Sequence, residues 1–512
     1  MSDAISIMST ESFFNTTEPD INDNTCAWWV VHGAKPVADS DVSGIGAVVA
    51  FILSAYITIA LAIAAYLLGA IDTKLLGPVD LVVHRIPSQP RISASWQKAL
   101  DACVLLFSDQ QIMTGLAILI AGFVGLNDRL DVYHFQVVIM LAWMSSSVNL
   151  TALTVLGQYF EEHKAVLHWR LAGMLTVLIL LFVALIPTTS NHWALLATEK
   201  GDGITMTGWA VPARCYYIHQ MGGGVNADAP LSFILLIISY MWKLGSLSHK
   251  TRSVFNQWIR GPPERFLERM IRKENETGSS RNSTRRSVRY YICMVLYIDF
   301  LVAFEFAASF AASLWISVIG LAYGTIQTII PRRQNAIYFG AEDEWTFGQI
   351  VPLILMIQPI GAMLELYRSG ESSDTISEPP SVDIRLHSLD AITTPSLGIA
   401  PVRETQPGET SKAALETVVT SLSLESDDLS ATVDYKTTIF KSKIFRVLIS
   451  LTHLNITLFS GLVLAANAQT IGYKATYNYI WFVLAIALYF ASLLLTTFAA
   501  IPFSGVFRMN LQ

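Results

Sequence analysis

Gly44-Ile45-Gly46-Ala47-Val48-Val49-Ala50-Phe51-Ile52-Leu53-Ser54-Ala55-Tyr56-Ile57-Thr58-Ile59-Ala60-Leu61-Ala62-Ile63-Ala64-Ala65-Tyr66-Leu67-Leu68-Gly69 is a run of 26 residues without a charge. A hydrocarbon core of about 30 Å needs roughly 20 such residues in a helix, so this stretch reads as a membrane span. The pattern recurs. Spans are expected at 44–69, 106–126, 135–157, 171–187, 231–247, 297–320, 347–366, 444–466 and 478–502. The predicted fold is an all-α polytopic transmembrane helix bundle of about nine spans. The composition agrees: 52% of the 512 residues are hydrophobic, 14% are charged, and mean hydropathy is +0.46. Soluble domains carry about 25% charged residues.

The sixth span lies inside a longer apolar stretch, 290–330. No turn signal precedes Gly320, so one helix with a cytosolic extension is expected rather than two. A hairpin there would reverse the orientation of everything after it.

Lys and Arg set the orientation. With nine spans and the N-terminus outside or in the lumen, the loops 70–105, 158–170, 248–290 and 367–443 are cytosolic and hold 24 basic residues. The N-terminal segment and the opposite loops hold 7, with Arg332-Arg333 the pair that fits least well. The excess of positive charge is expected on the cytosolic side. The domain reading follows: 1–43 an outer N-terminal segment, 44–366 a seven-span core, 367–443 a linker, and 444–512 a two-span hairpin. The linker is rich in Ser, Thr, Pro and acids, with almost no aromatics, and such a composition cannot bury a core. No cleavable signal peptide is expected, because the first apolar run is long enough to stay in the membrane. The bilayer is of the endoplasmic reticulum or the plasma membrane.

The same orientation sorts the cysteines. Cys26 and Cys215 fall on the oxidising side and can form one disulfide. Cys103 and Cys293 fall on the other side, and the alternative is four unpaired thiols. Asn15 heads an Asn-Thr-Thr sequon on the outer side and is the expected glycosylation site. No Cys or His spacing suits a metal, so no metal and no cofactor are expected. Net charge is −6, spread thinly, which gives no reason for a nucleic-acid partner. The basic loop 250–290, with Arg281, Arg285, Arg286 and Arg289, suits anionic lipid headgroups, although a simple topology signal explains it as well.

Polar residues inside spans are costly and are the first functional candidates. Asp109, Asp299 and Glu305 are the candidate acids. Ser108-Asp109-Gln110-Gln111 is expected to open the second span, with Ser108 as a cap. Gln110, Gln111, Asn149, Trp143, His453 and Asn455 are candidate pocket residues. Most lie in the half of the membrane expected to be cytosolic and could line one polar pocket. Each has a plainer role as a cap or an interhelical hydrogen-bond partner. Asp299 and Glu305, six positions apart, point about 120° apart on a helix.

Four short strings recur in order at expected helix starts: Asp41-Val42-Ser43-Gly44-Ile45-Gly46, Ser108-Asp109-Gln110-Gln111, Tyr133-His134-Phe135-Gln136 and Trp345-Thr346-Phe347-Gly348-Gln349. On these the chain resembles a large family of fungal multi-pass membrane proteins. Some similar fungal membrane proteins are terpene cyclases of meroterpenoid pathways. That resemblance implies a lipophilic small-molecule substrate with a farnesyl-type tail. It also implies cyclisation started by protonation, with Asp109, Asp299 and Glu305 supplying the acid and rings such as Trp143 shielding the cation. No aspartate-rich diphosphate motif is present, so ionisation of a diphosphate is not expected. The alternative is a non-enzymatic membrane protein: a receptor, transporter or scaffold.

Overall fold

The computed structural model describes residues 26, 38–71, 76–84, 93–127, 130–190, 193, 207–217, 228–247, 254, 256–279, 288–334, 342, 345, 347–374, 435–470 and 478–500. Asn15 and the linker from 375 to 434 lie outside the described residues. The helices are α1 (Ile45–Leu67), α2 (Pro78–His84), α3 (Ala94–Gly125), α4 (Val132–Val155), α5 (Lys164–Leu185), α6 (Asp228–Leu247) and α7 (Gly261–Ser279), followed by α8 (Val288–Ala307), α9 (Phe310–Gln334), α10 (Phe347–Leu355), α11 (Ile357–Asp374), α12 (Tyr435–Lys441), α13 (Lys443–Thr470) and α14 (Asn478–Ala500). No strand occurs among the described residues, and the fold is an all-α polytopic bundle. Eight helices are long and apolar enough to cross a membrane. The α6 and α14 stretches are apolar but shorter.

The central helix is α4, which is buried on nearly every side. Around it pack α1, α3, α5 and α9, while α13 and α14 pair with each other beside α8. Outward faces carry apolar residues such as Leu53, Leu458 and Leu495, the last 72% exposed. A surface of that kind belongs against lipid tails.

The disulfide end of the bundle is fixed by contacts. Cys26 is bonded to Cys215 with a Cα–Cα distance of 5.7 Å, inside the usual range for a disulfide. Val132 donates to the Val211 carbonyl and Ala213 to that of Leu130. The start of α4 and the Cys215 loop are therefore laced together. Cys103 and Cys293 are buried free thiols. A Cys215→Ser variant is expected to lose about 2–5 kcal/mol. Melting of the purified protein with and without reductant checks this, because the wild type should fall to the variant's midpoint when reduced. Equal midpoints under all conditions would remove the disulfide from the account.

The apolar stretch 290–330 departs from expectation. It forms two helices, α8 and α9, separated at Ala308 and Ser309. Asp80 causes the break. Its carboxylate accepts from the backbone N–H of Phe310 at 3.1 Å and of Ala311 at 3.0 Å, so it caps α9 from the α2 segment. Ser309 adds a local cap to the Ala312 N–H at 3.1 Å. The single helix expected at 297–320 is thus replaced by two, Val288–Ala307 and Phe310–Gln334, each long and apolar enough to cross a membrane.

The two helices do not form a hairpin. Asp80 bonds Tyr66 at the far end of α1, opposite the disulfide. At the other end of α9, Arg332 donates to the Ser43 carbonyl, just before α1 begins. Therefore α9 runs the full depth of the bundle, from the Asp80 end to the disulfide end. The partners of α8 are α7, the Phe306–His453 ring contact and Thr497 near the end of α14. Arg289–Ala307, within α8, is itself one of the eight lengths suited to a span, and α6 and α14 are shorter apolar stretches.

A second correction concerns Ser108. Helix α3 begins at Ala94, where Ser93 accepts from the Trp96 N–H, so Ser108 lies mid-helix and caps nothing.

Candidate functional site

The polar residues singled out in the sequence fall into two groups rather than one. The first lies in the seam between α1, α3 and α4. Ser108 donates to Asn149 Oδ1 at 2.8 Å, and Asn149 Nδ2 faces Ser145 Oγ at 3.4 Å. Ser145 donates to the Gln111 carbonyl at 2.5 Å. Gln111 Nε2 donates to Ser54 Oγ at 2.5 Å and to the Phe51 carbonyl at 3.2 Å. The side chains that join three helices here are short, and Gly115 lets α3 lie directly against Ser145. Gln111 Oε1 is buried with no partner among the described residues. Such interhelical hydrogen bonds hold spans together where the hydrophobic effect gives no net attraction between them.

Asp109 turns away from this seam. It pairs with Arg170 of α5, Nε to Oδ1, at 3.1 Å. Arg170 is 2% exposed, donates to the Leu105 carbonyl at 3.4 Å and stacks over Phe160. The Gln110 side chain makes no hydrogen bond among the described residues, and its carbonyl accepts from Thr114 at 2.8 Å. Trp143 tilts against Tyr323 at 5.6 Å, and its indole N–H is buried without a partner among the described residues.

The second group sits where α8 meets α13 and α14. Thr497 donates to Asp299 Oδ1 at 2.5 Å, while Asp299 Oδ2 is buried and has no partner among the described residues. Glu305 is held by Arg260, which also bonds Glu264 at 3.1 Å. Burial alone would pull Arg260 down, but the two carboxylates outweigh it and leave its pKa raised. Asn455 donates to Ser492 at 2.5 Å. His453 donates from Nδ1 to its own helix, at the Ile449 carbonyl, 2.8 Å away. Of the three candidate acids, Asp109 and Glu305 are thus ion-paired. Asp299 alone has no cationic partner among the described residues.

A third cluster, at the disulfide end, is one that the sequence alone does not reveal. His134 places Nδ1 2.6 Å from Asp131 and Nε2 2.9 Å from Glu342, all three buried. Glu342 also accepts from Tyr133 at 3.3 Å and faces Arg332 at 3.5 Å. Gln349 accepts from the Gly46 N–H at 3.3 Å. A Cβ on Gly46 would lie 2.5 Å from the Gln349 carbonyl oxygen, so only glycine admits this crossing. Three of the four recurring strings therefore meet at one end of the bundle. Tyr133-His134 is visible as a string, but Glu342 stands in a loop where no periodicity marks it. Among the described residues no cluster of His, Cys, Asp and Glu suits a metal ion.

Comparison with known proteins gives two relatives from Elsinoe fawcettii. The chain is 27% identical over 207 residues to Elsinochromes biosynthesis cluster protein HP2, covering 40% of this chain and 51% of the relative. It is 37% identical over 106 residues to Elsinochromes biosynthesis cluster protein HP3, covering 20% of this chain and 41% of the relative. The chain thus matches about half the length of the first relative and less of the second. No family model matches the chain, and no solved structure does.

Proposed function

We propose that this multi-pass membrane protein works in fungal secondary metabolism, as a cyclase that protonates a prenylated, farnesyl-type precursor within the bilayer. Its place in such a pathway is supported by the two biosynthesis-cluster relatives. The cyclase step rests on the family resemblance and on one observation, the carboxyl of Asp299. An acid that must give up a proton cannot be held as a carboxylate by a cation. Asp299 meets that requirement, with one oxygen fixed by Thr497 and the other buried and unengaged. Asp109 and Glu305, each bound to an arginine, then serve as structural pairs. Apolar and aromatic neighbours on α8 and α13, Phe306 among them, would keep water from a developing cation. A lipophilic tail needs no aqueous entrance, because it can enter between helices from the lipid.

Membranes containing the protein, incubated with plain and epoxidised farnesyl-phenol substrates, are expected to yield new rings. Asp299→Asn should lower the rate by at least 100-fold, in the range of lost general-acid catalysis of roughly 10²–10⁴. Asp109→Asn and Glu305→Gln should retain activity in whatever fraction stays folded. A folded wild-type protein that turns over neither substrate would overturn the cyclase. The second reading, a non-catalytic membrane protein, is favoured by the interhelical hydrogen bonds of Ser108, Gln111, Ser145 and Asn149 in the α1–α3–α4 seam, which give those residues a structural role, and it would then stand.

A further inference from the structure

Helix α7 has three faces. Glu264, Leu267, Glu268 and Ile271 recur at helical spacing and turn inward, toward α8. Glu268 accepts from Tyr297 at 2.8 Å, and Glu264 also takes Lys436 of α12 at 3.0 Å. The other faces are open from 262 to 273. Phe266 and Met270, one turn apart, form an apolar strip, and Phe266 is 60% exposed. Beside that strip Arg265, Arg269 and Arg272 form an exposed basic one. Trp258, in the turn leading into α7, is 75% exposed.

The position of α7 is fixed by its neighbours. It follows α6; Tyr297 and Lys436 bond its own residues, and Glu305, close to the Asp80-capped start of α9, holds Arg260 in the turn before it. The helix is amphipathic and is not one of the apolar lengths that could cross, which suits a place along the boundary of the hydrocarbon layer. An exposed Trp, Phe and Met in a row would be a liability in water. At the membrane boundary they are an anchor, with Trp at the headgroup level and arginines reaching phosphate.

We propose that α7 and the turn before it bind anionic phospholipid headgroups of the bilayer that the protein crosses. The aromatic and Met side chains dip between the lipids, while Arg265, Arg269 and Arg272 hold the negative heads. Charge complementarity selects the occupant, because the open face carries three arginines and no acid between Arg265 and Lys273 except the inward Glu268.

The test uses the full chain in lipid nanodiscs, of phosphatidylcholine alone or with phosphatidylserine. A Phe266→Cys variant takes an environment-sensitive dye, with the wild type as the background control because its free cysteines are buried. The dye is expected to emit as in an apolar medium and to be quenched by brominated lipid. Native mass spectrometry should show retained phosphatidylserine on the wild type. The Arg265→Gln/Arg269→Gln/Arg272→Gln variant should retain on the order of 100-fold less, the effect of removing three basic residues from the membrane surface. A dye that reports water, or equal retention by both proteins, overturns the proposal. So does quenching that tracks phosphorylation of the 367–443 segment and ignores lipid, since that segment would then be the occupant. Should the triple variant not fold, Arg269→Gln together with a salt series on the wild type decides the matter, because headgroup binding must weaken as salt rises. Retention that salt leaves unchanged overturns the proposal in that case.

Discussion

Asp80→Ala is expected to unfold the protein in mild detergent at temperatures where the wild type stays monodisperse. Asp80 is fully buried and accepts from four donors: Tyr66 Oη at 2.9 Å and the backbone N–H groups of Gly77, Phe310 and Ala311. It faces the positive end of α9, and among the described residues no cation pairs with it. Removing it leaves those donors facing apolar neighbours such as Phe310, which stacks on Tyr66 at 5.0 Å. Each orphaned buried donor costs about 1–3 kcal/mol, so a loss of about 4 kcal/mol or more is expected even with some relaxation. Asp80→Asn keeps one acceptor and should fall between. The melting midpoint and the monodisperse fraction on size exclusion report the effect. A variant that melts with the wild type would mean that Ser309 alone terminates α8 and starts α9.

Glu342→Ala comes next in size. Its side chain is buried at the disulfide end, where it serves His134, Tyr133, Arg332 and the Asp39 N–H at once. Deleting one member of a buried charged network costs about 3–5 kcal/mol, mostly because the partners stay behind. Glu342→Gln retains an acceptor for Tyr133 and should lose less. The pairing with His134 is separable by a double-mutant cycle with His134→Ala, where a coupling of about 0.5–3 kcal/mol is expected. A coupling of zero would show that the ring and the carboxylate are neighbours without being partners.

These two residues also mark the limit of what the sequence makes legible. Apolar length places helices at the expected stretches, the shorter ones at α6 and α14 included, because a bilayer imposes one dimension on all of them. The division of 290–330 is not legible. The acid that caps α9 stands 230 positions earlier, so no local pattern announces it. The candidate acids are legible as types but not as partners. Composition marks Asp109 and Glu305 as unusual in apolar surroundings. It does not say that Arg170, 61 positions away, and Arg260, 45 positions away, will neutralise them. The Glu342 cluster is hidden for the same reason: two of its members lie in or beside connections, and only the fold brings those connections onto the start of α4.

The Cys26–Cys215 bond spans 189 positions and encloses four traverses. If the disulfide end faces the oxidising side, as the Lys and Arg distribution predicts, the first thiol waits unpaired during synthesis until the fourth helix has been threaded and its partner emerges. Insertion order and oxidation are therefore coupled. A host that inserts the helices correctly but lacks an oxidising compartment on that side would deliver a complete bundle with its outermost tie left open.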